Sequence, residues 1–441
     1  MSQMYIVGGL DIGNGFVKGG LRTENGAVQN VDYPSSVARS SKDNFVPVTE
    51  QDAGGVIADI YNQMNISFDS PTVTSRYAYW FGRRANSSGK SVQEFSVQNT
   101  KSKTDDELSA ILVLGSVAGR ALQEYWNANQ KLPVDVVPVS ACVGLALPIN
   151  EFSDNHMRYA RMFMGNGTGD VTHMVCFQNF DRPVRVCITF ENVRVMPEGA
   201  SAQYAIASRG PAFMEMLLDN CRKHGAQAEL EGVTGEDMLQ LQNIVGIDIG
   251  EGTVNFPVFK NGSFNTDASR TLPEGYGNML EDCIDPCDHA HLPHFNSRKQ
   301  LADYILNNKD KGLPTKRQTY KQVMHIVEEQ SMLFAENIID KFDEVMRAIG
   351  ADVDVVYVYG GGASHIKAFL YDLLMNRSRD YGGGELGYPV MYLSSSYSRY
   401  LNMEGLMLVA NAAAQERHKA TPVQAPANNN GQAPQGNGQK K

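Results

Sequence analysis

The sequence predicts an α/β protein made of two related halves that face a shared cleft. Three observations predict it. An apolar strand runs into Asp11-Ile12-Gly13-Asn14-Gly15 and returns as Phe16-Val17-Lys18. The same pattern recurs far downstream as Asp248-Ile249-Gly250-Glu251-Gly252-Thr253-Val254. A late strand of alternating Val and Tyr, residues 352–359, then ends in Gly360-Gly361-Gly362 ahead of a helical stretch. Each hairpin is followed by a second turn signal, Asn25-Gly26 or Asn261-Gly262. Asn-Gly suits a tight turn because both of its positions tolerate positive φ. An ordinary hairpin accounts for one copy. It does not account for an aspartate at the same place in two.

Composition narrows the class. At 441 residues the chain exceeds one ordinary core, so two or more domains are expected. A formal charge of −10 argues against a protein whose whole surface grips DNA. No apolar run approaches the ~20 residues of a membrane span. The start lacks a basic segment followed by a long apolar one, and Asp11 interrupts it, so no signal peptide is expected. The six cysteines are scattered, which reads as a reduced, cytoplasmic protein.

In chain order, residues 5–31 read as three short strands. Residues 33–100 are mixed and polar and read as an inserted small subdomain, with one helix over 53–64 and a strand near 77–81. Residues 105–126 repeat apolar positions at helical spacing on one face, with Asp106 and Glu107 in the first turn. Residues 133–139 and 143–147 are strand material stopped by Pro148. A hairpin follows over 172–177 and 184–190. A strand over 193–197 then feeds helices at 200–207 and 212–224, and a polar loop leads to the second hairpin. The remaining helices are expected at 300–306, 321–349, 363–375 and 402–414. From residue 421 the chain is Ala, Asn, Gln, Gly and Pro without apolar periodicity and reads as a flexible tail.

The two hairpins suit a polyphosphate with its metal. Glycine turns aim several backbone N–H groups into one concavity and let the backbone approach closely. Asp11 and Asp248 supply hard oxygen ligands for magnesium, often through its waters. Neither G-x-G-x-x-G nor G-x-x-x-x-G-K-[ST] occurs. Gly360, Gly361 and Gly362 offer a bare surface for a flat nucleoside near a positive helix end. Glu198, at a strand–helix junction, is placed to orient a water for attack on a γ-phosphate. Lys18 can neutralise phosphate charge if its side chain points inward. Cys283, Cys287, His289, His291 and His294 form the densest set of soft ligands, but their spacing fits no structural zinc signature.

Taken together, these turns resemble the actin, Hsp70 and sugar-kinase ATPase superfamily, and within it the plasmid-segregating actins of the ParM type. Asp11, Gly13, Asn14, Gly15, Phe16 and Lys18 are similar to that family's first phosphate motif. Asp248, Gly250, Glu251, Gly252 and Thr253 are similar to the second. Met196-Pro197-Glu198 matches the place of its catalytic glutamate, and residues 356–362 with Ala363 match its adenosine motif. Gly144 and Gly405 fall at its two inter-domain connections.

The resemblance implies an actin-like two-domain fold with duplicated, mixed five-stranded sheets around a nucleotide cleft. Domain I would span 1–198, with 33–100 inserted and a C-terminal helix at 402–418 packing back on it. Domain II would span 199–401, leaving 419–441 as tail. It implies a nucleoside triphosphatase, with Glu198, Asp248 and Asp11 catalytic, taking ATP or GTP with Mg2+ held at Asp11 and Asp248. It further implies head-to-tail filaments and segregation of plasmid or other low-copy DNA through a DNA-bound adaptor of the ParR type, with no direct nucleic-acid or membrane contact. Glu251 departs from the pattern by putting an acid where the family carries a small residue, so either its side chain turns away or the metal site differs. The alternative is a metabolic small-molecule kinase of the same superfamily. That would need a general base for a substrate hydroxyl, usually an aspartate, and no recognisable motif supplies one.

Overall fold

The computed structural model describes residues 3–420 except 25, 41–45, 96–101, 168, 224–228 and 310. The expected tail from 421, and Asn25 of the first Asn-Gly turn, lie outside the described residues. Strands β1 (Met4–Ile12) and β2 (Phe16–Thr23) form the first hairpin, and β3 (Gln29–Pro34) lies antiparallel on β2. Next come β4 (Ser36–Ser40), α1 (Ala53–Ala58), α2 (Ile60–Gln63), β5 (Asn65–Asp69), β6 (Ala78–Phe81), α3 (Gly82–Asn86) and β7 (Val92–Glu94). The single helix expected over 53–64 is thus two. It breaks at Asp59, whose carboxylate accepts from Asn62 Nδ2 at 2.9 Å and from Arg83 at 3.1 Å. Such local side-chain bonds compete with helix continuation.

Helix α4 (Glu107–Asn129) departs from its expected one-sided pattern. Every residue from Leu108 to Leu122 is buried, because the helix lies between the sheet and the α1–α2 segment. Asp106 is its N-cap rather than part of its first turn, and accepts from the Leu108 N–H at 3.0 Å. The two strand pieces expected at 133–139 and 143–147 are one strand, β8 (Val137–Leu147), parallel to β1. Helix α5 (Ile149–Met164) was not anticipated. Its Ile149, Tyr159, Ala160 and Phe163 are buried, and Met162 and Met164 pack against the same cluster. The hairpin of β9 (Thr172–Phe177) and β10 (Val184–Pro197) forms as expected. Strand β10 continues past an irregularity at Glu191, so the separate strand expected at 193–197 is its second half.

The second half begins with α6 (Ala200–Ser208), α7 (Gly210–Lys223) and α8 (Gly235–Gln240). The last lies in the expected polar loop, nucleated by a Thr234–Asp237 capping box. Its sheet holds β11 (Ile244–Ile249), β12 (Val254–Phe256), β13 (Val258–Lys260), β14 (Ser263–Phe264) and β15 (Arg270–Leu272). Pro257, which has no N–H to donate, divides the returning arm into β12 and β13, and both pair with β11. Helices α9 (Tyr276–Asp282), α10 (Ile284–His289), α11 (Arg298–Asn308) and α12 (Pro314–Ile349) follow. Helix α12 starts seven residues before the expected 321, with Pro at its first turn. Then come β16 (Val355–Tyr359), α13 (Ala363–Gly382), β17 (Val390–Tyr392), α14 (Ser395–Ser398) and α15 (Leu401–Ala420).

The two sheets share one mixed topology. In the first, β3-β2-β1-β8-β10 runs with β1, β8 and β10 parallel and the hairpin antiparallel. In the second, β15 and β14 flank the β12–β13 arm, then β11, β16 and β17 follow in parallel. Beyond β10 the first sheet gains β9, β5, β6, β4 and β7, so much of the 33–100 segment extends that sheet. Each sheet has its own large apolar cluster. A smaller one, with Val7, Cys142, Ala410, Ala413 and Ala414, fixes α15 against β1 and β8. Glycine permits this close approach. A Cβ on Gly9 would stand 2.6 Å from the Met403 carbonyl oxygen, and one on Gly144 would meet the Leu406 backbone.

Candidate functional site

Both hairpin turns close in the same way. Gly13 N–H donates to Phe16 O at 3.1 Å, and Gly250 N–H donates to Thr253 O at 2.9 Å. Register sets Asp11 opposite Lys18 and Asp248 opposite Asn255, so Lys18 and Asn255 hold equivalent places. The two turns face each other across a cavity of about 970 Å³. Asn14 lies against Gly252, and the Glu251 carboxylate lies against the bare Cα of Gly15.

Of the residues singled out in the sequence, Asp11, Gly13, Asn14, Gly15, Phe16, Lys18, Glu198, Asp248, Gly250, Glu251, Gly252, Thr253, Gly360, Gly361 and Gly362 all line this cavity. Ala363 does not; it is fully buried at the start of α13, behind the glycine turn. Gly360 has φ +100, and a Cβ there would stand 2.5 Å from Asp248 Oδ1, so the turn needs glycine on both counts. Gly361 faces open space.

The carboxylates are buried. Burial, opposed by Lys18, raises the Asp11 carboxyl above its usual range. Burial likewise pushes Asp248 up to about 7, although Asn402 Nδ2 donates to it at 2.7 Å. Lys18 turns inward, its Nζ 3.9 Å from Asp11 Oδ2. Glu198 directly follows β10, and its N–H donates to Leu147 O at 2.7 Å. The next residue, Gly199 (φ +77), turns the chain into α6. The Glu198 carboxylate accepts from Asn255 Nδ2 at 3.1 Å and from the Lys103 ammonium.

Glu251 does not turn away. Its Oε1 accepts from Arg298 Nε at 2.9 Å, so a cation from α11 neutralises the acid inside the turn. Asp11 and Asp248 bring two buried carboxylates to one cavity, the hard oxygen donors that a hydrated divalent cation takes. Among the described residues no three His, Cys, Asp or Glu side chains stand close enough to hold a metal directly. Magnesium commonly keeps several waters and takes only one or two carboxylates.

Lys103, Asn255 and Asn402, which bond to Glu198 or Asp248, are cavity residues that the sequence did not single out. Aligning the two hairpins would have found Asn255 at the place of Lys18. No motif marks the other two. The Cys/His segment is no ligand cluster. Cys283 and Cys287 are buried in helix packing, and His294 bonds to Asp288 at 3.0 Å and to Asn296 at 3.1 Å.

Residues 9–200 match the family model of the N-terminal domain of actin-like proteins. Solved structures of actin-like proteins match over both halves. The actin-like protein Alp7A matches at 17% identity and TM-score 0.63, covering 95% of this chain and 98% of that one. The fold is actin-like. ParM from Bacillus thuringiensis with ATP matches at 18% identity and TM-score 0.55, covering 93% of this chain and 99% of that one. A non-polymerisable quadruple mutant of pCBH ParM matches at 15% identity and TM-score 0.56, covering 93% and 100%. No curated protein matches the chain in sequence. In this actin-like chain, among the described residues, no helix is long and apolar enough to cross a membrane.

Proposed function

We propose that this protein is a nucleoside triphosphatase that assembles into filaments when it binds ATP or GTP, and that the filaments segregate plasmid or other low-copy DNA through a DNA-bound adaptor. One observation carries the reading: two equivalent glycine turns, three buried carboxylates and the Gly360–Gly362 turn line a single cavity. The cavity lies between the two sheets of an actin-like fold. The ParM structures with ATP, with ADP and with AMPPNP share that fold.

The backbone N–H groups of the 13–16 and 250–253 turns would cradle the phosphates. Gly361 and the start of α13 would take the nucleoside. A magnesium ion held through water by Asp11 and Asp248 would neutralise phosphate charge. Glu198, directed by Asn255, would orient the attacking water, since phosphoryl transfer depends chiefly on positioning and charge. Asn402, on the helix that packs against the first sheet, donates to Asp248 of the second and accepts from the Gly199 N–H. This link between the halves would carry the nucleotide state to the assembly surfaces. The formal charge of −10 suits a filament that meets DNA through an adaptor.

Glu198→Ala tests the reading. Nucleotide binding and assembly should survive while phosphate release falls by 100-fold or more, about the scale of losing a positioned base. Unchanged release would remove Glu198 from the mechanism.

A further inference from the structure

Lys103 belongs to neither glycine turn, yet it is 7% exposed and reaches the centre of the cleft. Its backbone is fixed from behind. Glu151 Oε2 accepts from the Lys103 N–H at 3.1 Å and from Ser102 Oγ at 2.6 Å, and Ser102 Oγ accepts from the Thr104 N–H at 3.2 Å. The side chain runs inward to donate to Ile12 O at 2.9 Å and to the Glu198 carboxylate. Burial opposes the charge, but Glu198 and nearby Asp11 outweigh it, and the lysine stays cationic.

Two features follow from these contacts. A lysine ammonium has three donors, and this chain takes two of them. Ile12 O lies between Asp11 and the first glycine turn, so the ammonium stands where that turn meets Glu198. A carboxylate engaged by a buried ammonium has less capacity to accept a proton or hold a water. Lysine is a compact charge on a flexible stem and can change partners over a short distance.

We propose that Lys103 senses the terminal phosphate: its ammonium, which engages Glu198, swings to a bound triphosphate and so frees Glu198 to position water. This rests on the nucleotidase reading and deepens it. A diphosphate lacks the group that would draw Lys103 away, so the device separates triphosphate from diphosphate. Lys18, paired with Asp11 on the first hairpin, faces phosphate in both states.

The test is calorimetric binding of ADP and AMPPNP, and of GDP and GMPPNP, with magnesium, to the full chain and its variants. Lys103→Met should weaken the triphosphate analogue by about 10-fold or more and leave the diphosphate within about twofold, the scale of one charge-assisted hydrogen bond. Glu198→Gln should tighten the analogue, because the lysine is released. Equal losses for both ligands, or none, would overturn the proposal while leaving nucleotide binding intact. Wild-type protein that binds none of the four would instead overturn the nucleotidase reading beneath it.

Nucleotide-free melting gives a second readout. Lys103→Met should lower Tm by stranding Glu198, and Lys103→Met/Glu198→Gln should recover part of the loss. If the single variant will not fold, the double variant carries the comparison: against Glu198→Gln it should lose the preference for the triphosphate analogue, and a retained preference overturns the proposal.

Discussion

Asn402 Nδ2 donates to Asp248 Oδ2 at 2.7 Å, so the first turn of α15 grips the aspartate of the second hairpin. The same side chain accepts from Gly199 N–H at 3.2 Å and from Ser201 Oγ at 2.9 Å. One amide thereby ties three segments together at the floor of the cleft. Asn402→Leu should cost about 1–3 kcal/mol, because it strands buried polar partners. Urea midpoints at unchanged m-value check it, and an unchanged midpoint would contradict it.

Gly144 on β8 allows α15 to sit on the sheet, since a Cβ there meets Leu406 backbone rather than a side chain that could move aside. Gly144→Ala should destabilise by about 1–3 kcal/mol, the range for overpacking a close contact. Proteolysis within α15 should quicken in parallel. Thermal unfolding with limited digestion tests both effects.

Asp248 gives a pH dependence with a definite sign. Its carboxyl is raised from an ordinary 3.8 to about 7, chiefly by burial. Between these values the folded chain holds a proton that the unfolded chain has released. The stability it contributes is full below 3.8 and is lost as pH rises toward 7. Asp248→Asn should therefore stabilise the nucleotide-free protein more at pH 8 than at pH 4.5, with a ceiling of about 4 kcal/mol at ~1.4 kcal/mol per pKa unit. Under the proposed function the same variant loses magnesium-dependent nucleotide binding. Paired melting curves at the two pH values decide the sign.

Glu251 occupies Arg298 and lies against Gly15, in the space proposed for phosphate. Glu251→Ala should remove a like charge and release a cation toward the ligand. Triphosphate affinity should rise by about 3–10-fold, a modest gain in electrostatic complementarity. A fall in affinity would assign Glu251 a positive part in holding the site together.

Much of this site could be read in the sequence because its parts are local. Asp11 and Asp248 lie one residue from the ends of strands that run into glycine turns, with their register set by neighbours, and Gly360–Gly362 is a similar local signal. Lys103 was not legible, since Ser102-Lys103-Thr104-Asp105 reads as an ordinary polar loop. Its burial follows from Glu198, 95 residues away, and from Glu151 on an unanticipated helix. Asn402 looked like a helix start, and its role depends on Asp248, 154 positions earlier. Of the β5–β7 extension only β6 matches an expected strand, the one near 77–81, and β5 and β7 escaped notice for a related reason. Both are short, and β5 pairs with residues such as Cys176 and Phe177, far along the chain.

The proposed function implies that nucleotide drives assembly, and we propose further that hydrolysis reverses it. Right-angle light scattering with magnesium, comparing ATP, GTP and no nucleotide and following phosphate release in parallel, tests it most directly. The account predicts a rise triggered by one or both triphosphates that decays as phosphate appears. A flat trace, with turnover only when small hydroxyl compounds are added, would contradict it and favour a metabolic kinase.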